Sequence, residues 1–316
     1  MMRAHCLGAR AMKLISFRQG ERTGAGALLE GQVLDFASAA RLTGERVDLT
    51  SVLAIVRGGP SALAACRRLE QQAREQPQRL AAALTPATQL QLLAPIPTPV
   101  RNVFCVGRNY LEHVREGASA RNAAVQVPEV PQFFTKATHA LTGPDSDVRL
   151  DPKVTQKLDY EVELAVVIGL GGRDIPASAA FDHVFGYTIA NDVTARDLQR
   201  RHDQWFKGKS LDTTLPLGPC IMPHADIGDP RTLELSLTVN AEERQRARVE
   251  QMIFDIPTLI ASLSAGLTLE AGDILSTGTP SGVGFAMNPP RFLRGGDVVI
   301  ARIDRIGELR NRIVEV

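Results

Sequence analysis

The stretch Asp159-Tyr160-Glu161-Val162-Glu163-Leu164-Ala165-Val166-Val167-Ile168 decides the fold. It is rich in β-branched residues and holds neither Gly nor Pro, so it reads as a β-strand. Its second half is apolar without alternation, the pattern of a strand covered on both faces. Side chains alternate across a strand, which puts Glu161 and Glu163 on the same face. Two carboxylates so close in a buried setting repel each other and lose hydration, and a bound cation relieves both costs. The competing reading is an edge strand with both glutamates in water. The strand alone does not choose between the two.

Working outward, strand-like runs dominate the chain from residue 101. Val103–Val106, Phe185–Ala190, Leu233–Val239, Asp273–Thr277 and Val298–Ile303 are separated mostly by loops. This argues for an α+β, β-rich domain over a doubly wound parallel sheet. Helical patterns cover 109–117 and 194–206. Gly278, Pro280, Gly282 and Gly284 mark a tight loop after a strand. Before residue 94 the pattern differs: short strands (Lys13–Phe17, Gly26–Leu29, Gln32–Phe36) precede helical pieces at Leu49–Arg57 and Pro60–Arg74. Ala94-Pro-Ile-Pro-Thr-Pro-Val100 separates the two regions, and its three prolines forbid a helix. The expected organisation is a disordered extension at 1–11, a small N-terminal α+β domain at 12–93, a linker at 94–100 and a catalytic domain at 101–316.

Composition narrows the function. The 316 residues carry 36 basic and 35 acidic side chains, a net charge of +1, so no strong field recruits nucleic acid or a membrane surface. Arg196, Arg200 and Arg201 form one small basic cluster, which reads as a solvated face or an anion site. Cys6, Cys66, Cys105 and Cys220 are far apart without Cys-x-x-Cys spacing, which disfavours a disulfide framework or zinc and fits a reducing cytoplasm. No apolar run is long enough to span a bilayer. No Gly-x-Gly-x-x-Gly opens a βαβ unit, so a nicotinamide dehydrogenase is disfavoured.

A third carboxylate tips the balance toward a metal. Asp192 ends the apolar strand Phe185–Ala190 and sits at the start of a helical pattern, where it could equally serve as an N-cap. With Glu161 and Glu163 it makes an oxygen-rich set without Cys or His, suited to Mg²⁺, Mn²⁺ or Ca²⁺ rather than zinc.

Five segments in this order resemble one family. They are Val106-Gly-Arg-Asn-Tyr110-x-x-His113, Glu161-x-Glu163, Asn191-Asp192-x-Thr194-Ala195-Arg196-Asp197-x-Gln199, Gly208-Lys209-Ser210 and Gly272-Asp273-x-x-x-Thr277-Gly278-Thr279-Pro280-x-Gly282-Val283-Gly284. Together they resemble the fumarylacetoacetate hydrolase superfamily, over roughly residues 101 to 316. The resemblance implies a mixed β-roll catalytic domain, usually homodimeric, with a variable N-terminal domain. It implies Glu161, Glu163 and Asp192 as metal ligands, His113 as general base, and Lys209 as a stabiliser of developing negative charge. Glu116, at i+3 from His113, can face the same side of a helix, and the family's acylpyruvase-like members pair such residues. Tyr110, Arg196, Gln199 and Thr279 match positions that contact or shape a substrate, and Lys136 is a further candidate.

The implied substrate is a small 2-oxo acid, whose carboxylate and 2-keto oxygens together chelate a cation. C–C cleavage, decarboxylation and keto–enol isomerisation all pass through an enolate that a Lewis acid stabilises. The leading expectation is hydrolysis of a C–C bond in an acylpyruvate such as fumarylpyruvate. The alternative is a decarboxylase or isomerase of a dicarboxylic 2-oxo acid, oxaloacetate included. Gly107-Arg-Asn-Tyr110 lacks the extra aspartate that true fumarylacetoacetases carry there, which disfavours a role in tyrosine catabolism.

Overall fold

The computed structural model describes residues 11–316. The expected extension at 1–11 therefore lies, except for Ala11, outside the described residues, as does Cys6. A sheet of twelve strands is the backbone of the molecule. Its centre runs, in spatial order, through Leu215–Pro223, Val184–Asn191, Val162–Ile168, Ile274–Ser276, Val103–Gly107 and Gln132–Lys136. On the far side of Leu215–Pro223 the sheet continues into Leu14–Gln19, Arg22–Leu29 and Gln32–Asp35. The N-terminal strands thus extend the same sheet, and Leu14 pairs with Ile221.

All seven residues of Val162–Ile168 are buried, as continuous apolar character demands. The strand begins one residue after Glu161, and Leu158–Asp159 forms a separate short pair with Thr194–Ala195. Alternation splits Val162–Ile168 between two cores. Val162, Leu164, Val166 and Ile168 join a core with a second, five-stranded sheet that includes Glu234–Val239, Val298–Ile303 and Gly307–Glu315. Ala165 and Val167 point the other way, into a core with the helical N-terminal region. That region holds one run, Val52–Glu75, broken at Gly59 (φ 58°), where the two helical patterns of the sequence meet.

Antiparallel pairing brings the working ends together. Val162 lies opposite Asn191 and Glu163 opposite Ala190. Ser276 lies opposite Ala165, and Ile274–Ser276 runs parallel to Val103–Gly107. The carboxyl ends of Val184–Asn191, Ile274–Ser276 and Val103–Gly107 therefore converge near the amino end of the glutamate strand. Helix Leu111–Ser119 follows the last of these and arches over that edge.

Candidate active site

Three carboxylates meet at this edge. Glu161, Glu163 and Asp192 are all buried, and one oxygen from each lies within 4.8 Å of the others. Asp192 caps no helix: the next helix, Arg196–Arg201, starts four residues later with Ala195 before it. Its carboxylate instead accepts hydrogen bonds from Lys136 Nζ at 2.6 Å and Lys209 Nζ at 2.7 Å. Glu161 accepts from Lys209 Nζ at 2.7 Å and pairs with the Arg196 guanidinium at 2.6 Å. Asn191 Oδ1 accepts from the Glu161 backbone N–H at 3.0 Å and fixes the strand entry.

Glu163 differs from its neighbours because no cation pairs with it directly. One of its oxygens accepts from Ser276 Oγ at 2.5 Å and from the Gly278 N–H at 2.9 Å, and neither bond uses the other oxygen. Burial, then the charges of Asp192 and Glu161, push this carboxyl up to about 8. Burial also pushes Glu161 upward, but Lys209 and Arg196 outweigh it and hold that group at about 2. Lys209 stays above the ordinary lysine value, because Asp192 and Glu161 overcome its burial. In Lys136, which is completely buried, desolvation wins over Asp192 and the value falls.

These observations test whether the residues fit a cation. Three convergent buried carboxylates, one with an uncommitted oxygen and all with oxygen donors, suit a hard divalent ion. The hydroxyl of Tyr110 is buried near Glu163 without a hydrogen-bond partner. The acidic triad could hold a metal.

The triad opens onto a cavity of about 420 Å³. Glu161, Glu163, Arg196, Gln199, Lys209, Thr279 and His113 line it. The structure thus brings most of the sequence-selected residues to one space. Lys136 and Asp192 sit behind the wall, and Tyr110 lies beneath it, in each case without lining the cavity. Glu116 stands behind His113: its Oε1 lies 2.8 Å from His113 Nδ1, and its Oε2 accepts from the Gly282 N–H at 2.8 Å. A carboxylate only accepts, so Nδ1 carries the proton and Nε2 is left as the basic nitrogen. Gly282 has φ 107°, and a Cβ there would fall 1.8 Å from the Arg244 carbonyl oxygen, so only glycine can present this N–H to Glu116.

Sequence reading missed three supporting residues. Asp159 is a further buried carboxylate that holds Arg196 Nε at 2.9 Å and accepts from the Gly284 and Phe285 N–H groups. Gln245 donates to Thr279 Oγ1 at 2.8 Å and accepts from the Val162 N–H at 2.9 Å. Ser276, which donates to Glu163, completes the set, and Asn191, read only as part of a motif, holds the Glu161 N–H. The one available signal was the position of Asp159, two residues before Glu161.

Comparison with known proteins places this geometry. Residues 102–314 match the family model described as fumarylacetoacetate (FAA) hydrolase, C-terminal. The chain belongs to the fumarylacetoacetate hydrolase family. It is 47% identical over 263 residues to oxaloacetate tautomerase YisK of Bacillus subtilis, covering 83% of this chain and 86% of that protein. It is 42% identical over 231 residues to the human mitochondrial oxaloacetate tautomerase FAHD2A, covering 72% and 71% respectively. Its fold superposes on the fumarylacetoacetate hydrolase of Exiguobacterium antarcticum with a TM-score of 0.78 at 37% identity, covering 97% of this chain and 100% of that one. The chain is an enzyme of this family, with the strand-rich mixed α and β architecture of its relatives. Among the described residues no helix is long and apolar enough to cross a membrane.

Proposed function

We propose that the enzyme interconverts the keto and enol forms of oxaloacetate, or of a closely similar dicarboxylic 2-oxo acid, with Mg²⁺ or Mn²⁺ held by Glu161, Glu163 and Asp192. The observation that carries this reading is the 47% identity to an oxaloacetate tautomerase across 83% of the chain. It favours the isomerase alternative over the C–C hydrolysis that the sequence motifs put first. Tautomerisation needs a proton carrier beside a polarised ketone, and the cavity supplies one.

When bound, the cation would supply Lewis-acid polarisation of the 2-oxo oxygen. The chain's own residues do the rest. His113 Nε2 takes a proton from C3 of the keto form, and the electrons left behind make the C2–C3 double bond. His113 then gives this proton to the 2-oxygen, which completes the enol and returns the imidazole to its neutral form; the reverse path runs through the same groups. Lys209, a charged ammonium on the same wall, offsets negative charge that develops on the 2-oxygen. Glu116 orients the imidazole and fixes which nitrogen is basic. Gln199 and Arg196 border the space left for the substrate.

The test is direct. Enol-oxaloacetate absorbs in the ultraviolet, so its decay can be followed in stopped flow with metal-loaded enzyme. Acceleration above the uncatalysed rate, lost on chelation and restored by Mg²⁺ or Mn²⁺, supports the reading. Release of two acids from an acylpyruvate without any acceleration of enol decay would overturn it and restore hydrolysis, for which the likeness to a fumarylacetoacetate hydrolase speaks.

A further inference from the structure

The cavity that the carboxylates open onto is also lined by arginines that the mechanism does not use. Arg108, Arg121 and Arg200 line it, and none of them makes an ion pair or side-chain hydrogen bond among the described residues. Asp203 lies on the same wall and pairs with none of them. Several exposed arginines elsewhere pair with carboxylates, as Arg68 does with Glu45 at 2.6 Å, Arg291 with Glu242 at 2.7 Å and Arg302 with Glu308 at 2.7 Å, and others, such as Arg57 and Arg201, stand alone among the described residues. What sets Arg108, Arg121 and Arg200 apart is that three unpaired guanidinium groups line the same cavity as Glu161 and Glu163.

Aromatic rings hold two of these groups, Arg108 and Arg121, without consuming their donors. The Arg108 guanidinium lies 5.9 Å from the Trp205 ring centre, and that of Arg121 lies 5.8 Å from Phe285. Arg196 contacts the same Phe285 ring at 4.6 Å. Phe285 therefore stands between the arginine tied to Glu161 and the unpaired Arg121. Cation–π contact steadies a guanidinium and leaves its planar N–H edge available for a carboxylate. Partial burial, then the charges of Arg108, Arg200 and Arg196, press Arg121 below the ordinary arginine value, as crowding by like charges requires.

We propose that Arg108, Arg121 and Arg200 form a carboxylate subsite that selects 2-oxo acids carrying a second carboxylate at the end remote from the 2-oxo group. The inference rests on the 2-oxo acid reading above and assigns its specificity. Guanidinium groups bind carboxylates through paired, charge-assisted hydrogen bonds, and a binding site short of anions gains most from supplying one.

Trp205 is the single tryptophan and lines the cavity, so its fluorescence reports occupancy independently of turnover. Mg²⁺-loaded enzyme is titrated with oxaloacetate and with 2-oxobutanoate, which has the same four carbons and no second carboxylate. Arg121 and Arg200 lie at the exposed rim, so Arg121→Ala and Arg200→Ala should both fold. Each is expected to weaken oxaloacetate about tenfold, the worth of one charge-assisted hydrogen bond, and 2-oxobutanoate less than twofold. Arg121→Lys, which keeps the charge but not the fork, should fall between wild type and Arg121→Ala. Equal losses for both ligands, or no loss for either, would overturn the subsite. Selective weakening in an enzyme that fails to accelerate enol decay would sink the tautomerase reading and leave the subsite standing.

Discussion

The two halves of the active site are built differently. The carboxylate cage is carried by strand ends at the centre of the sheet. Glu161, Glu163 and Asp192 are buried there, and Lys136, Lys209 and Arg196 interlock with two of them. The dyad of His113 and Glu116 is carried by one short helix, half-buried, and held down by few bonds, of which Glu116 to Gly282 is the closest to the chemistry. The paired charges of the cage, Glu161 and Asp192 with their cations, are therefore structural as well as chemical, because each one removed strands another in a low-dielectric interior. A group on the helix can be removed with little effect on the fold. Cage substitutions should move stability and activity together, and helix substitutions should move activity more than stability.

The largest effect is expected from Asp192→Ala. It leaves the buried ammonium of Lys136 with only the Val193 carbonyl oxygen at 2.9 Å, and costs Lys209 one of its two carboxylates. Breaking a buried pair from one side costs about 3–5 kcal/mol. Urea unfolding of metal-free protein should show that loss, and enol decay should fall to background. An unchanged unfolding midpoint would break the comparison, since it would mean that Asp192 does not hold its lysines in place.

Second comes His113→Ala. Loss of a positioned acid–base group typically costs about 10²–10⁴-fold in rate. The same variant should lose about 0.5–1.5 kcal/mol of stability, the net worth of the one hydrogen bond to Glu116, well short of the loss in Asp192→Ala. Mn²⁺ affinity, measured by calorimetry, should not change. A large stability loss would show that the helix is as integral to the core as the strands.

How far each half could be read from the sequence follows the same division. The glutamate strand is legible because its signals are local: apolar continuity and a two-residue spacing survive without tertiary information. The His113 and Glu116 spacing is legible for the same reason. What the sequence hid is tertiary. Asp159 acts through the Gly284 and Phe285 amides more than 120 residues away, and nothing near it announces that contact. Lys136 reads as a site residue, but its bond to Asp192 places it behind the cavity wall. Leu215–Pro223 carries prolines at 216, 219 and 223, which argue against an interior strand; it forms one, and its pairing with Val184–Asn191 shifts register between Tyr187 and Ile189. Glu242–Arg248 is almost wholly polar, because it is an outer strand of the second sheet with only Gln245 buried. The expected helix over 194–206 divides into Arg196–Arg201 and Phe206–Lys209, which lets Lys209 reach back to Glu161.

Glu116→Gln sharpens the comparison within the helix. The amide can still accept from the Gly282 N–H, but it no longer offers His113 a charged acceptor. A partner that orients another group's imidazole is typically worth roughly 10–100-fold. The expected signature is a fall in kcat with little change in KM. A purely structural role would lower the unfolding midpoint and leave kcat of the folded enzyme in place.

The smallest effect should come from the outer side of the same helix. Glu112 and Arg115 form an i, i+3 pair at 2.6 Å, with both side chains more than half exposed (62% and 55%). Exposed pairs of this kind contribute roughly 0.2–0.5 kcal/mol, less at high salt. Arg115→Ala should therefore leave kcat, KM and the urea midpoint close to wild type. If it instead slowed turnover tenfold, the helix would be acting as a unit whose outer charges set the pose of His113. The division between a structural cage and a helix that serves chemistry more than stability would then have to be redrawn along the helix rather than between helix and sheet.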